Sequence, residues 1–226
     1  MNTNVDVNRL LIGLIGAEMQ KPHATASGQP CTLTISRDHA CGGEEIAHML
    51  SKKLELQCYD HELLDAIVAE AHTDRYLWER LDEHVTPMLD DWIYGLISGH
   101  GAANEDYRRH LAHVLLGISS RGGVIVGRGA HLLLATRQVW RVRVTGTPEI
   151  CARRLAQQEH ITEKEALATI RQINGERILF MRKQFGCDIN NLASYDLSIN
   201  TDKLVPTDAA DVIIFSMKKN EDMIVS

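Results

Sequence analysis

The sequence predicts an α/β fold in which a parallel β-sheet is covered by helices on both faces. Short apolar or β-branched runs alternate with segments of helical periodicity along most of the chain. The chain has 226 residues, of which 44% are hydrophobic, enough for one α/β domain with a sizeable core or for two small ones. Because such sheets bind ligands at the carboxyl ends of their strands, the residues that follow each strand are the candidate site residues.

Five short strands are predicted, each bounded by turn residues or a helix. They cover residues 31–36, 56–59, 123–127, 140–145 and 197–200. The run GVIVG has no polar side chain and indicates a strand buried on both faces. The run WRVRVT alternates and predicts a strand that is half exposed.

Helical periodicity separates the strands and is punctuated by capping signals. A helix follows the pair Gly42-Gly43, and Thr162 with Glu165 predicts a capping box for a helix that runs to about Gln184. The remaining helices are predicted over residues 61–120 with breaks near Pro87 and at 99–101, from Pro148 with Thr147 as its cap, and over 208–217. Ten carboxylates against two arginines between residues 60 and 91 predict an acidic, solvated helical face.

The first thirty residues are interpreted as an extension of the main domain. Residues 7–19 have a helical pattern, and residues 21–30 (KPHATASGQP) have the composition of a linker. Two interpretations are open: a helix that packs on its own domain, or a helix through which the chain forms a homodimer or binds a partner.

Composition excludes several classes of function. With 24 Lys and Arg against 30 Asp and Glu, the chain lacks the basic face that nucleic acid or an anionic membrane requires. The apolar stretch 10–15 is too short to span a bilayer, and no signal segment is predicted. Five cysteines without CxxC spacing argue against a disulfide framework or a zinc site and favour reduced thiols in the cytoplasm.

The segment SRDHACGGEE, residues 36–45, lies where a strand passes through a glycine-containing loop into a helix. Unpaired amides and the helix dipole make such a place suitable for phosphate. The full phosphate loop GxxxxGK[ST] is absent, since Gly43 occupies the lysine position and Glu44 and Glu45 occupy the hydroxyl positions. The alternative is a plain strand-to-helix turn whose two glutamates stabilise the helix N-terminus.

The run ISRDHACGGEEIAHMLSKKLELQCYD resembles the opening of the cytidylate-kinase-like family, a branch of the P-loop nucleoside monophosphate kinases. The resemblance continues through VIVGRGA, VRVTGTPEICARRLAQQEHITEKEA, GERILFMRKQFG and YDLSINTDKL, over roughly residues 32–215. It implies a three-layer P-loop kinase-like fold with a five-stranded parallel sheet in residues 31–226. It also implies that residues 61–120 are a helical acceptor-binding insertion and that residues 160–186 are a lid.

The resemblance further implies that ATP phosphates lie over the amides of Ala40, Cys41, Gly42 and Gly43. The family commonly has arginine at the position of Glu44, and the usual phosphate-loop lysine and hydroxyl are missing here. Either Glu44 helps to hold Mg²⁺, or the loop binds nucleotide weakly, because a bare carboxylate beside a triphosphate is repelled. Cys41 is expected either to carry a reactive thiolate at the helix N-terminus or only to fill the loop.

Four arginines are the predicted catalytic residues. Arg37 either replaces the missing lysine or forms a surface ion pair with Asp38 or Glu45. Arg128, between two glycines after the third strand, either binds the acceptor phosphate or forms a salt bridge. The basic stretch 151–185 resembles the lid of these kinases, and Arg177 and Arg182 match the lid positions best.

Asp60 matches the family's Y-D motif, and it either orients the acceptor or only caps the helix that begins near Glu62. Eleven histidines show no metal-binding spacing, so His61 and the others are interpreted as ordinary core or surface residues.

The resemblance favours ATP-dependent phosphoryl transfer to a nucleoside monophosphate, with cytidylate as the family's nominal acceptor and with nucleotides as the ligands. Two alternatives remain: a non-catalytic regulatory protein that binds a nucleotide or a phosphorylated metabolite, and a kinase for another small acceptor.

Overall fold

The computed structural model describes residues 6–15, 30–99 and 104–224. Its five strands are β1 (Thr32–Arg37), β2 (Cys58–Tyr59), β3 (Gly123–Val126), β4 (Trp140–Thr145) and β5 (Leu197–Asn200). They form one sheet in the order β2-β3-β1-β4-β5, and every neighbouring pair is parallel. The predicted α/β class and the five-stranded parallel sheet are therefore confirmed.

Ten α-helices lie in the described part of the chain, with 3₁₀ turns at Thr86–Met88 and Leu192–Ser194. The helices are α1 (Val7–Ile15), α2 (Gly43–Leu54), α3 (His61–Thr73), α4 (Arg75–Val85), α5 (Asp91–Ser98), α6 (Glu105–Ser119), α7 (Ala130–Leu133), α8 (Pro148–Glu159), α9 (Glu163–Phe185) and α10 (Pro206–Ile224). None of these described helices is both long enough and apolar enough to cross a membrane.

Two hydrophobic cores lie on opposite faces of the sheet. One contains Leu33 and Ile35 of β1 packed against α2, α8 and α10. The other contains Tyr59 and Ile125 of the sheet packed against helices α1 and α3–α6. Alternate residues of one strand serve opposite cores, which is the pattern of a sheet covered on both faces.

Helix α1 packs on its own domain. Leu11 and Leu14 are fully buried in the same core as the helices of the 61–120 region. Residues 7–15 thus pack as in the first of the two interpretations, and a homodimer contact through the extension stays a prediction. The linker predicted over 21–30 lies outside the described residues except for its last position.

Helix caps match the sequence in two places and differ in a third. Thr162 and Glu165 form the predicted capping box, and the Asp60 side chain accepts a hydrogen bond from the Leu63 amide (2.8 Å) as the cap of α3. Thr147 does precede α8, but its hydroxyl donates to the Asp202 carboxylate and does not cap the helix. Part of the acidic run 60–91 serves as caps, since Asp74 and Asp90 begin α4 and α5 in the same way as Asp60.

Strand β4 is more buried than its alternating pattern predicts. The Arg143 side chain is only 2% exposed, because its Nη2 donates to Asp38 Oδ1 (2.5 Å) and to Asn190 Oδ1 (3.2 Å). The arginine joins the loop after β1 to the segment after α9. The prediction of a half-exposed strand is wrong here, because the charged side chain of Arg143 is buried in an ion pair with Asp38, which lies 105 residues away in sequence.

Replacing Arg143 by Ala should lower the free energy of unfolding by about 2–3 kcal/mol, because it leaves Asp38 partly buried without its partner. Chemical denaturation would measure this, with Arg153→Ala as the control, since Arg153 is exposed on α8. Equal stability of the two variants would show that the buried pair does not hold the loop.

Candidate functional site

The loop between β1 and α2 has the backbone of an anion-binding turn. Ala40 and Gly42 adopt left-handed conformations with φ of 57° and 82°, and Gly42 is the N-cap of α2. The amides of the first helical turn have no helix carbonyl to bond and so face outward. The loop is fixed from outside: the His39 amide donates to Asn174 Oδ1 (2.8 Å), and the Thr201 hydroxyl donates to the Cys41 carbonyl (2.7 Å).

Cys41 fills the inside of this loop. Its thiol is fully buried, and burial raises its pKa to about 12. Of the two alternatives for Cys41, the structure therefore favours the residue that only fills the loop over the reactive thiolate, since desolvation outweighs the helix dipole here.

Gly43 is required because Arg37 crosses the start of α2. A Cβ at Gly43 would lie 2.5 Å from the Arg37 Cβ, closer than two carbons can approach. The position that holds lysine in the full phosphate-loop pattern therefore has no room for a side chain. The Arg37 side chain lies there instead.

Arg37, Glu44 and Arg177 form the arginine–glutamate cluster. Arg37 Nε donates to Glu44 Oε1 (2.9 Å), and Arg177 Nη2 approaches the same oxygen (3.4 Å). Arg177 Nη1 also donates to the Arg37 carbonyl (3.1 Å). Arg37 is 6% exposed, so it does not form the surface ion pair with Asp38 or Glu45 that was its alternative.

The cluster carries one net positive charge, because two guanidinium groups surround one carboxylate. Burial alone would raise the pKa of Glu44, but Arg37 and then Arg177 outweigh it and hold that pKa below its usual value. Burial, and next the neighbouring Arg37, lower the pKa of Arg177. Two guanidinium groups held in fixed positions in a partly desolvated site favour the binding of an anionic ligand.

Glu44 does not fit the role of a Mg²⁺ ligand in this arrangement. Its Oε1 already interacts with two guanidinium groups, and a metal ion would enter beside two like charges. In the ranges 6–15, 30–99 and 104–224, no three His, Cys, Asp or Glu side chains gather to hold a metal. The loop backbone, in contrast, fits a phosphate chain, because the first-turn amides of α2 have no helix carbonyl to bond and Arg177 borders the same cleft.

Two clefts open beside the cluster. The loop cleft, about 670 Å³, lies over the β1–α2 loop and is walled by α8 and by residues 204–206. The Arg128 cleft, about 360 Å³, lies between Arg37, residues 127–129 and α9. Among the residues that the structure describes, three line both of these clefts, namely His61, Ile173 and Arg177.

Arg128 projects into the smaller cleft with a partner of its own. It adopts φ of 50° between Gly127 and Gly129, and its guanidinium pairs with Asp65 and lies 5.0 Å from the centre of the Phe180 ring. Both alternatives for Arg128 thus have support: it lines a cleft, and it forms a salt bridge.

The floor of the Arg128 cleft is a buried polar network. Ser36 Oγ lies 3.2 Å from His131 Nδ1, the His131 ring stacks on Tyr195 at 4.6 Å, and the Tyr195 hydroxyl donates to the Ile189 carbonyl (2.8 Å). Burial, with Arg141 and Arg143 nearby, lowers the pKa of His131 to about 3. His131 is therefore neutral, and it orients the Ser36 hydroxyl at the cleft surface.

The other predicted site residues differ in which cleft or cavity they line. Ala40, Cys41 and Gly42 line the loop cleft. Asp60 caps α3 and borders a small cavity of about 140 Å³ next to Arg37 and Glu44. Arg182 is exposed on α9 and lines neither cleft, so its catalytic role stays a prediction without a contact to support it.

Sequence reasoning missed four residues that shape the clefts. Asp65 and Phe180 hold Arg128, Asp38 anchors the loop on Arg143, and Arg154 lines the loop cleft while donating to the Thr201 carbonyl (2.5 Å). Their partners are distant in sequence, and the only signal for Arg154 was its place in the basic stretch.

The sequence profile of the cytidylate kinase-like family matches residues 32–203. The chain belongs to this family. The loop cleft and the Arg128 cleft lie at the carboxyl edge of the sheet. The sequence resemblance implies that the nucleotide and the acceptor bind at this edge.

Individual relatives are more distant. A stretch of 67 residues is 40% identical to a cytidylate kinase of Sulfolobus acidocaldarius, and this covers 29% of the chain and 36% of that kinase. An uncharacterized protein from Eubacterium ventriosum superposes with a TM-score of 0.69 at 19% identity, over 84% of this chain and 98% of that one, which supports the fold alone. A shikimate kinase from Bacteroides thetaiotaomicron reaches a TM-score of only 0.43 at 14% identity, covering 85% and 98% of the two chains, too low to add to the argument.

Replacing Glu44 by Gln should tighten the binding of inorganic tripolyphosphate, because it removes the negative charge that the two arginines now share. Calorimetric titration with and without Mg²⁺ would measure the change. Glu55→Gln is the control, since Glu55 is exposed at the far end of α2 and lines neither of the two clefts. Weaker binding of Glu44→Gln in Mg²⁺ alone would instead identify Glu44 as a metal ligand.

Proposed function

We propose that the protein transfers a phosphoryl group from ATP to a nucleoside monophosphate. The observation that carries the proposal is that two separate clefts border one net-positive arginine cluster. A kinase that transfers a phosphoryl group between two phosphorylated ligands needs this arrangement. The donor and acceptor phosphates must come together at a place where their negative charge is neutralised.

The donor nucleotide would occupy the loop cleft. Its phosphates would accept hydrogen bonds from the amides at the start of α2, and its base would lie against the apolar wall formed by Leu204, Val205 and Pro206. Arg154 and Arg177 border the same cleft and supply positive charge. Mg²⁺ bound to the nucleotide would add charge neutralisation, held by phosphate oxygens and water.

The acceptor would occupy the Arg128 cleft. Arg128 presents a guanidinium to its phosphate, and Phe180 offers an aromatic face. In the transfer, a phosphate oxygen of the acceptor bonds to the terminal phosphorus of the donor while the bond from that phosphorus to the bridging oxygen breaks. The attacking oxygen is already ionised, so no general base is needed. Arg37 and Arg177 are placed to neutralise the charge between the two ligands.

A second candidate is a protein that binds the two ligands without transferring phosphate. The carboxylate of Glu44 on the arginines, together with the missing loop lysine, favours it, since both reduce positive charge at the loop. A direct assay separates the candidates: Mg·ATP is incubated with each nucleoside monophosphate, and the formation of nucleoside diphosphates is followed by ³¹P NMR. Binding of both ligands without product would support the second candidate.

Replacing Arg177 by Ala should reduce phosphoryl transfer on the order of 10²-fold, because a preorganised cation is lost from the meeting point of the phosphates. Arg171→Ala on the exposed face of the same helix is the matched control and should leave the rate unchanged. Initial rates of diphosphate formation would be compared. An equal loss in both variants would show that α9 contributes only general charge.

Replacing Arg128 by Ala should weaken acceptor binding by on the order of 2 kcal/mol, or about 30-fold, because a charge-assisted phosphate contact is lost. Asp65→Asn is the control, because it removes the ion pair and keeps the guanidinium. Calorimetry and thermal melting would be measured on both variants. If both melt early and bind the acceptor normally, Arg128 is a structural partner of Asp65.

A further inference from the structure

His61 lies at the junction of the two clefts. It is the first residue of α3, directly after the Asp60 cap, and it borders the loop cleft, the Arg128 cleft and the small cavity beside Glu44. Of the three residues that line both clefts, Ile173 is apolar and Arg177 is held by Glu44. In the described ranges, no side chain or carbonyl forms a hydrogen bond with the His61 imidazole.

Burial, and after it two arginines, oppose protonation of this imidazole. The charged and titratable groups that border the same three cavities come from every element around His61. They are Arg37 from β1, His39 and Cys41 from the β1–α2 loop, Glu44, Glu45 and His48 from α2, Cys58 from β2, Asp60 and Glu62 at the start of α3, Arg128 after β3, Arg154 and Glu159 from α8, and Glu176 and Arg177 from α9. Glu62 and Asp60, at the start of the same helix, raise the pKa of His61, whereas the arginines lower it. Burial, and then Arg37 and Arg128, lower the pKa of His61, so the free protein holds it neutral at pH 7.

A phosphate chain that passes from one cleft to the other must pass beside His61. Phosphates bound to Arg37 and Arg128 would offset the charges of these two arginines, which together with burial oppose protonation of the imidazole. Binding would then be linked to proton uptake, because the bound state favours the imidazolium more than the free state does.

We propose that His61 contacts the phosphate chain where the two clefts meet, as a neutral imidazole in the free protein and as an imidazolium in the complex. The inference rests on the proposed function in one respect, namely that the ligands of the two clefts are phosphates. It assigns a share of the pH response of the site to His61, beside His39 in the loop cleft, and makes His61 a phosphate-binding residue in addition to the arginines.

The sign of the effect follows from linkage. A group that binds a proton more tightly in the complex makes ligand affinity rise as the pH falls toward its free-state pKa. Between pH 7.5 and 6.0, affinity for inorganic tripolyphosphate should rise about threefold more in the wild type than in His61→Gln. His61→Lys should bind tightly at both pH values, because its charge is permanent.

The test is calorimetric titration of the full chain with inorganic tripolyphosphate at pH 6.5 in two buffers of different ionisation enthalpy, which gives the protons taken up. The ligand's own proton exchange cancels when two proteins are compared at one pH. The wild type should take up more protons than His61→Gln, and His84→Gln, an exposed histidine on α4, should match the wild type. Thermal melting checks that all variants are folded.

The outcomes separate the two proposals. Unchanged proton uptake in His61→Gln, with tripolyphosphate still bound, overturns the role of His61 and leaves the proposed function standing. Failure of the wild type to bind tripolyphosphate or any nucleotide overturns both.

Discussion

The carboxylate of Glu44, held between the guanidinium groups of Arg37 and Arg177, is the interaction on which the site depends. It joins the end of β1, the first turn of α2 and the middle of α9, which are otherwise separate elements. Two adjacent cations repel each other, and a shared carboxylate offsets that repulsion. The cluster therefore fixes the position of α9 over the loop and retains one positive charge for a ligand.

This arrangement would allow the proposed phosphate-binding turn to function without the usual lysine. Arg37 projects from the end of the strand that precedes the turn and lies across the glycine where the lysine would stand. Its guanidinium presents a fork of donors, which suits the oxygens of a phosphate better than a single ammonium does. The consequence is a site whose cations come from two strand ends and a distant helix, while the loop itself supplies only backbone amides and a carboxylate.

Sequence patterns predicted the parts of the structure that depend on neighbouring residues. The strands at 140–145 and 197–200, the capping box of α9 and the cap at Asp60 each follow from short-range chemistry. Features that join distant residues were beyond those patterns: the Arg143–Asp38 pair spans 105 positions, and Arg177 meets Glu44 across 133. Neither periodicity nor spacing signals such contacts.

The candidate site also contains some residues that sequence patterns predict and others that they do not. The loop residues 40–43 and the arginines at 37, 128 and 177 are predictable from the sequence because they follow strands or match a family motif. All three arginines line the Arg128 cleft, and Arg177 also lines the loop cleft. The sequence does not predict His61 as a site residue, because a lone histidine has no distinctive pattern. Its place at the junction depends on how α3 leaves β2, which only the packing of the chain determines.

If the proposed function is right, two phosphorylated ligands meet at one cluster of arginines. Calorimetric titration with a dinucleoside pentaphosphate, compared with titration of its two nucleotide halves, tests whether they do. The tethered compound should bind at least about tenfold more tightly than either half, because one molecule fills both clefts. Binding no tighter than that of the better half would show that the two clefts do not share a meeting point, and direct phosphoryl transfer between them would then be ruled out.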